Sequence, residues 1–124
     1  MDAVRVARVG HAPAGEGYRV LVDRLWPRGV RKVDAPWEEW LKDVAPSTTL
    51  RQWYGHDPAR YGPFQERYRE ELEAALEAPG MRHLLDLART RSVVLLTATA
   101  DLDRSHAPIL ADFVGRQLRG GAPS

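Results

Sequence analysis

Short runs of apolar residues mark three strands along the chain. Val4–Val9 is β-branched and partly alternating, a pattern that predicts the first strand. Tyr18–Asp23 keeps its apolar residues next to one another, as in a central strand of an α/β sheet that is covered on both faces. Ser92–Thr97, which reads SVVLLT, is the clearest parallel-type strand of the chain. Pro27 and Gly29 follow the second run and predict that it ends in a turn.

Apolar residues at three- and four-residue spacing predict helices between and after these strands. The first predicted helix begins at the N-cap Asp34 and ends before Pro46. Its spacing would place Trp37 and Trp40 on one face, together with Leu41 and Val44. Three of the remaining helices are predicted to begin at the caps Ser47, Asp57 and Ser105, and a fourth to cover Met81–Thr90. Gly55 is predicted to end the helix that begins at Ser47, as a residue in the left-handed conformation.

The long connection between the second and third strands predicts how the sheet is built. A crossover of several helices favours parallel pairing, and therefore an α/β fold: a small three-layer domain with a short, mostly parallel sheet flanked by helices. We expect one domain over residues 1–119, a flexible connection at His11–Gly17 and a flexible tail at residues 120–124. Parallel strands end at the same edge, so the loops Asp23–Arg31 and Thr97–His106 are predicted to meet where ligands of α/β sheets usually bind.

Composition narrows the classes of function. The 124 residues carry a net charge of +1, which provides no overall field for nucleic acid or an anionic membrane. The helix after Asp57 alternates arginine with glutamate, as a solvated face does, which also argues against nucleic acid. The chain has no cysteine, which excludes disulfides, zinc–thiolate sites and thiol nucleophiles. We expect a cytoplasmic protein without a membrane span, and the sequence leaves the oligomeric state open.

The turn after the second strand carries candidate ligand-binding residues. Arg24 and Arg28 have planar guanidinium groups that suit a phosphate or a carboxylate, and Gly29 would let a backbone amide approach it. Trp26, in the same loop, could stack on a planar ring of the ligand. The alternative is that the arginines pair with nearby aspartates as structural bridges.

Candidates for proton transfer lie in two later segments. His56 stands at a helix entry, and Asp101 could orient His106 as a general acid or base. The alternative is a purely structural role, in which these residues form a solvated acidic loop followed by a capped helix. One histidine and two aspartates on a loop form a weak metal signature, and the sequence leaves any cofactor unknown.

Three segments of the sequence resemble a known family. GYRVLVDRLWPRG, WLKDVAPSTTLRQWYGHDPARY and LLTATADLDRSHAPIL closely resemble the YeaO-like branch of the DUF488 family, and the resemblance runs from about Gly17 to about Val114. It implies a small bacterial α/β domain, in which Asp101 and His106 fall on positions of the family pattern together with Asp23, Pro27 and Arg28.

The chain departs from that pattern in the late loop. It has Thr97 where many relatives have tyrosine or cysteine, Ala100 where many have a basic residue, and Ser105 where asparagine is frequent. These departures argue against a mechanism that uses tyrosine, cysteine or lysine in this loop. Two expectations stay open: a small anionic ligand that undergoes hydrolytic or transfer chemistry, and a non-catalytic module that senses a metabolite or binds a protein partner.

Overall fold

A four-stranded parallel sheet is the framework of the protein in a computed structural model, which describes residues 4–11 and 17–120. The strands lie in the order β1-β4-β2-β3 and pair in parallel throughout. They cover β1 (Val4–Arg8), β2 (Tyr18–Leu21), β3 (Glu39–Trp40) and β4 (Val93–Thr97). The predicted α/β class with a parallel sheet is therefore confirmed.

Within the described residues, α-helices follow β3 and β4 along the chain. They cover α1 (Thr48–Tyr54), α2 (Tyr61–Ala74), α3 (Pro79–Thr90) and α4 (Ala107–Arg119), and short 3-10 turns cover Lys32–Asp34, Lys42–Val44, Pro58–Arg60 and Leu102–Arg104. None of these helices is long and apolar enough to cross a bilayer. Residues 12–16 of the predicted flexible connection and residues 121–124 of the predicted tail lie outside the described part of the chain.

The two faces of the sheet are covered by different kinds of structure. Because side chains alternate along a strand, Val20 and Leu95 face one side while Leu21 and Leu96 face the other. The buried residues of α1–α3 all join the first cluster, together with Ile109, Leu110, Phe113 and Val114 of α4. The second cluster is closed by Trp37 and by partly buried residues of the segment 26–40. The layers are thus helices, sheet and an irregular cover.

The helix predicted from Asp34 to Val44 is wrong. This segment instead runs beside β2, where the amide of Leu41 donates to the carbonyl of Leu21 at 2.9 Å. Trp40 packs with the second cluster and Leu41 with the first, so the two neighbours point to opposite faces of the sheet. The spacing of Trp37, Trp40, Leu41 and Val44 is compatible with a helix as well as with an extended segment. Hydrogen bonding to β2 stabilises the extended conformation.

The predicted capping residues do cap helical segments, but α2 begins at Tyr61, because Asp57 caps the 3-10 turn Pro58–Arg60 before it, and α3 begins at Pro79 and not at Met81. The Ser47 hydroxyl accepts a hydrogen bond from the amide of Leu50 at 3.1 Å, and the Asp57 carboxylate accepts one from Ala59 at 3.0 Å. Gly55 ends α1 with a φ of 53°, in the left-handed region. The Ser105 hydroxyl accepts from Ala107 at 3.2 Å, although α4 begins one residue later than predicted.

Candidate functional site

A cavity of about 580 Å³ opens at the edge of the sheet where the strands end. The loops after β2 and β4 meet there, as the parallel topology predicts. Its wall is formed by residues 23–27, 45–46, 98–101 and 105–106, with Arg51 and Tyr54 of α1, His56 of the turn after α1, and Phe64 of α2. Its volume lies within the range of about 300–1,000 Å³ that is typical of small-molecule sites.

Asp23 ties the two loops together at the base of this cavity. One carboxylate oxygen accepts a hydrogen bond from the hydroxyl of Thr97 at 2.6 Å, and the other accepts one from the amide of Ala98 at 2.8 Å. The Asp23 side chain is 15% exposed and Thr97 is fully buried, so little water competes for these bonds. The carboxylate therefore fixes the start of the loop after β4.

His106 completes this connection from the start of α4. Its Nε2 lies 2.9 Å from the carbonyl oxygen of Val22 and 3.5 Å from Oδ1 of Asp23. Both neighbours accept hydrogen bonds, so Nε2 carries the proton. Burial lowers the pKa of His106 below its ordinary value of 6.5, against the opposing effects of Asp23 and of the bond with Val22. The imidazole is therefore neutral at pH 7, with an unprotonated Nδ1.

Arg24 is held in place by backbone carbonyls and not by an acid. Its Nε donates to Pro46 at 3.0 Å and its Nη2 donates to Ala45 at 3.2 Å. Among the described residues no carboxylate forms a salt bridge with it, so the structural-bridge alternative does not apply to this arginine. Two of the five N–H donors are used, and the fork keeps donors for a ligand.

Arg51 and His56 stand at the rim of the cavity, where both are exposed. Within the described part of the chain, Arg51 forms no salt bridge or side-chain hydrogen bond. His56 has a φ of 59°, an unusual conformation for a residue other than glycine, and its ring lies 6.0 Å from that of Tyr54. The sequence reasoning missed Arg51. No signal in the sequence distinguishes it from the other arginines, because only the position of α1 brings it to the cavity.

The structure separates the other predicted ligand-binding residues. Arg28 and Gly29 are exposed in a turn and do not line the cavity. Gly29 adopts a φ of 82°, the conformation that the third position of this turn requires. Trp26 does line the cavity, but its indole N–H donates to Val30 at 2.6 Å, and its ring packs edge-on against Trp37 at 4.9 Å between centroids.

Asp101 lies at the rim, and the predicted pair with His106 is not formed. The nearest cation to its carboxylate is Arg104, at 3.5 Å, and Asp23 stands beside His106 instead. The cavity lining therefore contains two arginines, Arg24 and Arg51, and two aspartates, Asp23 and Asp101. The charge of Asp101 is paired with Arg104, which does not line the cavity. The formal charges of these four side chains therefore balance, and the exposed pair with Arg104 leaves the two arginines of the lining without a salt bridge to a described carboxylate.

Three hydroxyl groups at or beside the cavity already donate hydrogen bonds, and the Thr99 oxygen lies 3.1 Å from that of Thr97. Thr97 donates to Asp23, Ser105 donates to the carbonyl of Leu102 at 2.8 Å, and Tyr54 donates to that of Arg104 at 2.7 Å. Burial raises the pKa of Tyr54, so that its hydroxyl keeps the proton. Among the described residues no hydroxyl is hydrogen-bonded to His106, and no group of three or more metal-ligating side chains occurs.

Comparison with known proteins identifies relatives over most of the chain. A family described as "Inactive DUF488-N3 subclade" matches residues 3–122. An uncharacterized protein of Mycobacterium tuberculosis is 48% identical over 113 residues, which are 90% of this chain and 92% of the relative. The uncharacterized protein YeaO of Escherichia coli is 42% identical over 103 residues, or 83% and 88% of the two chains. No solved structure matches. The resemblance to the YeaO-like branch of DUF488 is thereby confirmed.

Proposed function

The chain belongs to the inactive DUF488-N3 subclade, and from this membership we propose that its cavity binds a small carboxylate- or phosphate-bearing ligand without transforming it. The observation that carries the proposal is the pair of arginines in the wall. Arg24 and Arg51 line the same cavity, and neither forms a salt bridge with a described carboxylate. A guanidinium group that faces a cavity without an acidic partner is a strong recognition element for an anion.

The arrangement of Arg24 favours binding over a purely structural role. Its two bonds to Ala45 and Pro46 orient the fork, and no described carboxylate forms a salt bridge with it. A preoriented donor loses less conformational freedom when a ligand arrives, which increases affinity. Arg51 would then close over the anion from the exposed side.

The polar groups of the site support binding without turnover. A nucleophilic mechanism needs a hydroxyl or thiol within hydrogen-bond reach of a base. The chain has no cysteine, and the Thr97 hydroxyl, although it contacts the Asp23 carboxylate, is fully buried and does not line the cavity. His106 uses one nitrogen to hold the carbonyl of Val22. The name of the matching subclade, which describes it as inactive, favours the same interpretation. We also propose a cytoplasmic location, since a chain without cysteine needs no oxidising compartment.

The experiment compares two exposed arginines. Thermal shifts are measured for the wild type across a library of small carboxylates and phosphates, each beside a neutral analogue. Arg51→Ala removes a cation of the lining and is expected to lower affinity for each anionic hit about tenfold, the effect of one charge-assisted hydrogen bond. Arg28→Ala is the matched control, because it removes an exposed arginine outside the cavity.

The outcomes separate clearly. Anionic hits that survive in Arg28→Ala and weaken in Arg51→Ala support the proposal. Neutral analogues that shift the melting temperature as much as the anions, or hits that Arg51→Ala leaves intact, contradict it. Conversion of a hit to a product, followed by NMR over hours, would contradict the non-catalytic part alone.

A further inference from the structure

The wall of the cavity changes character with depth. The buried part is mainly apolar: Phe64 is 2% exposed and Tyr54 7%, and Pro27 is buried, while the Asp23 carboxylate and the Arg24 guanidinium, which binds the carbonyls of Ala45 and Pro46, border this apolar surface. Arg51, His56 and Asp101, by contrast, are exposed at the rim. A ligand that enters this cavity therefore meets charge at the mouth and apolar surface at the floor.

The polar atoms that reach the floor offer little to a polar ligand. The Ser105 hydroxyl donates to Leu102, the Tyr54 hydroxyl donates to Arg104, and Nε2 of His106 donates to Val22. A sugar or a polyol placed there would find partners among the described residues only at Asp23, Arg24 and Thr99, and its hydroxyl groups that face Phe64 and Pro27 would be left without partners, at a cost for each. An alkyl or aryl group placed there loses nothing and buries apolar surface.

We infer that the ligand is an amphipathic organic anion, with a single carboxylate or phosphate group at the rim and an alkyl or aryl body on the floor. This inference rests on the proposed function, because it assigns the anionic group to Arg24 and Arg51. It adds the second half of the ligand, which inorganic phosphate and short carboxylates lack. The volume of about 580 Å³ is ample for a body of this kind.

A series of linear acids tests the inference directly. Acetate, butyrate and hexanoate are titrated into the isotopically labelled full-length chain, and binding is followed by ¹H–¹⁵N NMR. Affinity is expected to rise about fourfold for each added methylene group, the factor that corresponds to burial of one methylene. The alcohol 1-hexanol, which has the same body without the charge, is expected to bind at least about tenfold more weakly than hexanoate.

Two exposed apolar residues provide a matched pair of variants. Leu25 lines the cavity and is 60% exposed, whereas Val33 is 81% exposed and lies outside the lining. Leu25→Ser removes apolar surface beside the mouth of the cavity, so it is expected to weaken hexanoate, whose alkyl chain can pack on that surface, at least about threefold, and to leave acetate, which has no chain beyond its methyl group, unchanged. Val33→Ser is expected to change neither. Both positions are at the surface, so both variants keep the core.

Each result decides one of the two proposals. Affinities that stay flat along the series but are lost in Arg51→Ala overturn the inference and leave the anion site standing. Affinities that climb along the series, with 1-hexanol as tight as hexanoate and no effect of Arg51→Ala, overturn the proposed function and the inference together. No shift with any acid overturns the inference, while the anion library still judges the proposed function.

Discussion

The hydrogen bond between Thr97 and Asp23 is the contact through which β2 holds the loop after β4. The Thr97 hydroxyl is fully buried and donates to the carboxylate at 2.6 Å. Thr97→Val keeps the shape and the β-branching of the side chain but removes the donor. A hydrogen bond to a charged group contributes about 1.5–3 kcal/mol, and Asp23 is too buried for water to replace it freely.

The magnitude follows from what remains after the substitution. Asp23 keeps the amide of Ala98 at 2.8 Å and the nearby His106, so its carboxylate is not left without partners. The amide of Thr99 loses an acceptor, since it donates to the same hydroxyl at 3.2 Å. We therefore expect Thr97→Val to lower the free energy of unfolding by about 2 kcal/mol, in the middle of that range.

Urea denaturation at pH 7, followed by circular dichroism, measures this change. Thr90→Val is the control, because that hydroxyl is exposed and donates only to carbonyls of its own helix, at 3.2 and 3.3 Å. Its effect is expected to stay within about 0.5 kcal/mol. A double-mutant cycle with Asp23→Asn then isolates the pair. If the two substitutions simply add, or if Thr97→Val costs no more than the control, the reasoning about this contact is refuted.

Two further predictions concern pH and backbone conformation. Burial holds the pKa of His106 below 6.5 in the folded protein, so below that pH the unfolded chain binds a proton more readily than the folded chain does. The free energy of unfolding is therefore expected to fall as the pH drops below 6.5, by at most about 1.4 kcal/mol per pH unit. His106→Gln, which can still donate to Val22, should flatten the urea stability profile between pH 7 and pH 5.5, and an unchanged slope would contradict the assignment. Gly29→Ala, at a φ of 82° with open space around the new Cβ, should cost about 1–2 kcal/mol in urea unfolding. Gly17→Ala should cost more, because its φ is 81° and its Cβ would lie 3.0 Å from Val94, and an equal cost would exclude this clash.

The apolar runs predict the sheet well because β4 is buried along its whole length. All five residues from Val93 to Thr97 are at most 2% exposed, so covered strands leave a continuous apolar signature. The segment from Asp34 to Val44 fails for the opposite reason. A two-residue edge strand is too short to leave a pattern of its own, and its pairing with β2 depends on contacts that are distant in sequence.

The site is predictable in outline and not in detail. Parallel topology brings Asp23 and His106 to one edge, and this much follows from element order. Which acid stands beside His106 depends on the path of the loop after β4, where Asp101 turns to Arg104. Likewise, Arg51 and Arg28 look equivalent in the sequence. Only the direction of α1 brings the first to the cavity, while the turn at Gly29 keeps the second outside the lining.

The irregular cover of the sheet also gives the protein its own optical probe. Trp26 forms part of the cavity wall and touches Trp37 and Trp40, with ring centroids 4.9 and 5.4 Å away. A ligand that shifts the wall would alter the surroundings of three coupled indoles at once. The fourth indole, Trp53, lies beside Arg67 on the helical side and serves as an internal reference. Occupancy of the cavity can thus be followed by intrinsic fluorescence, without a label.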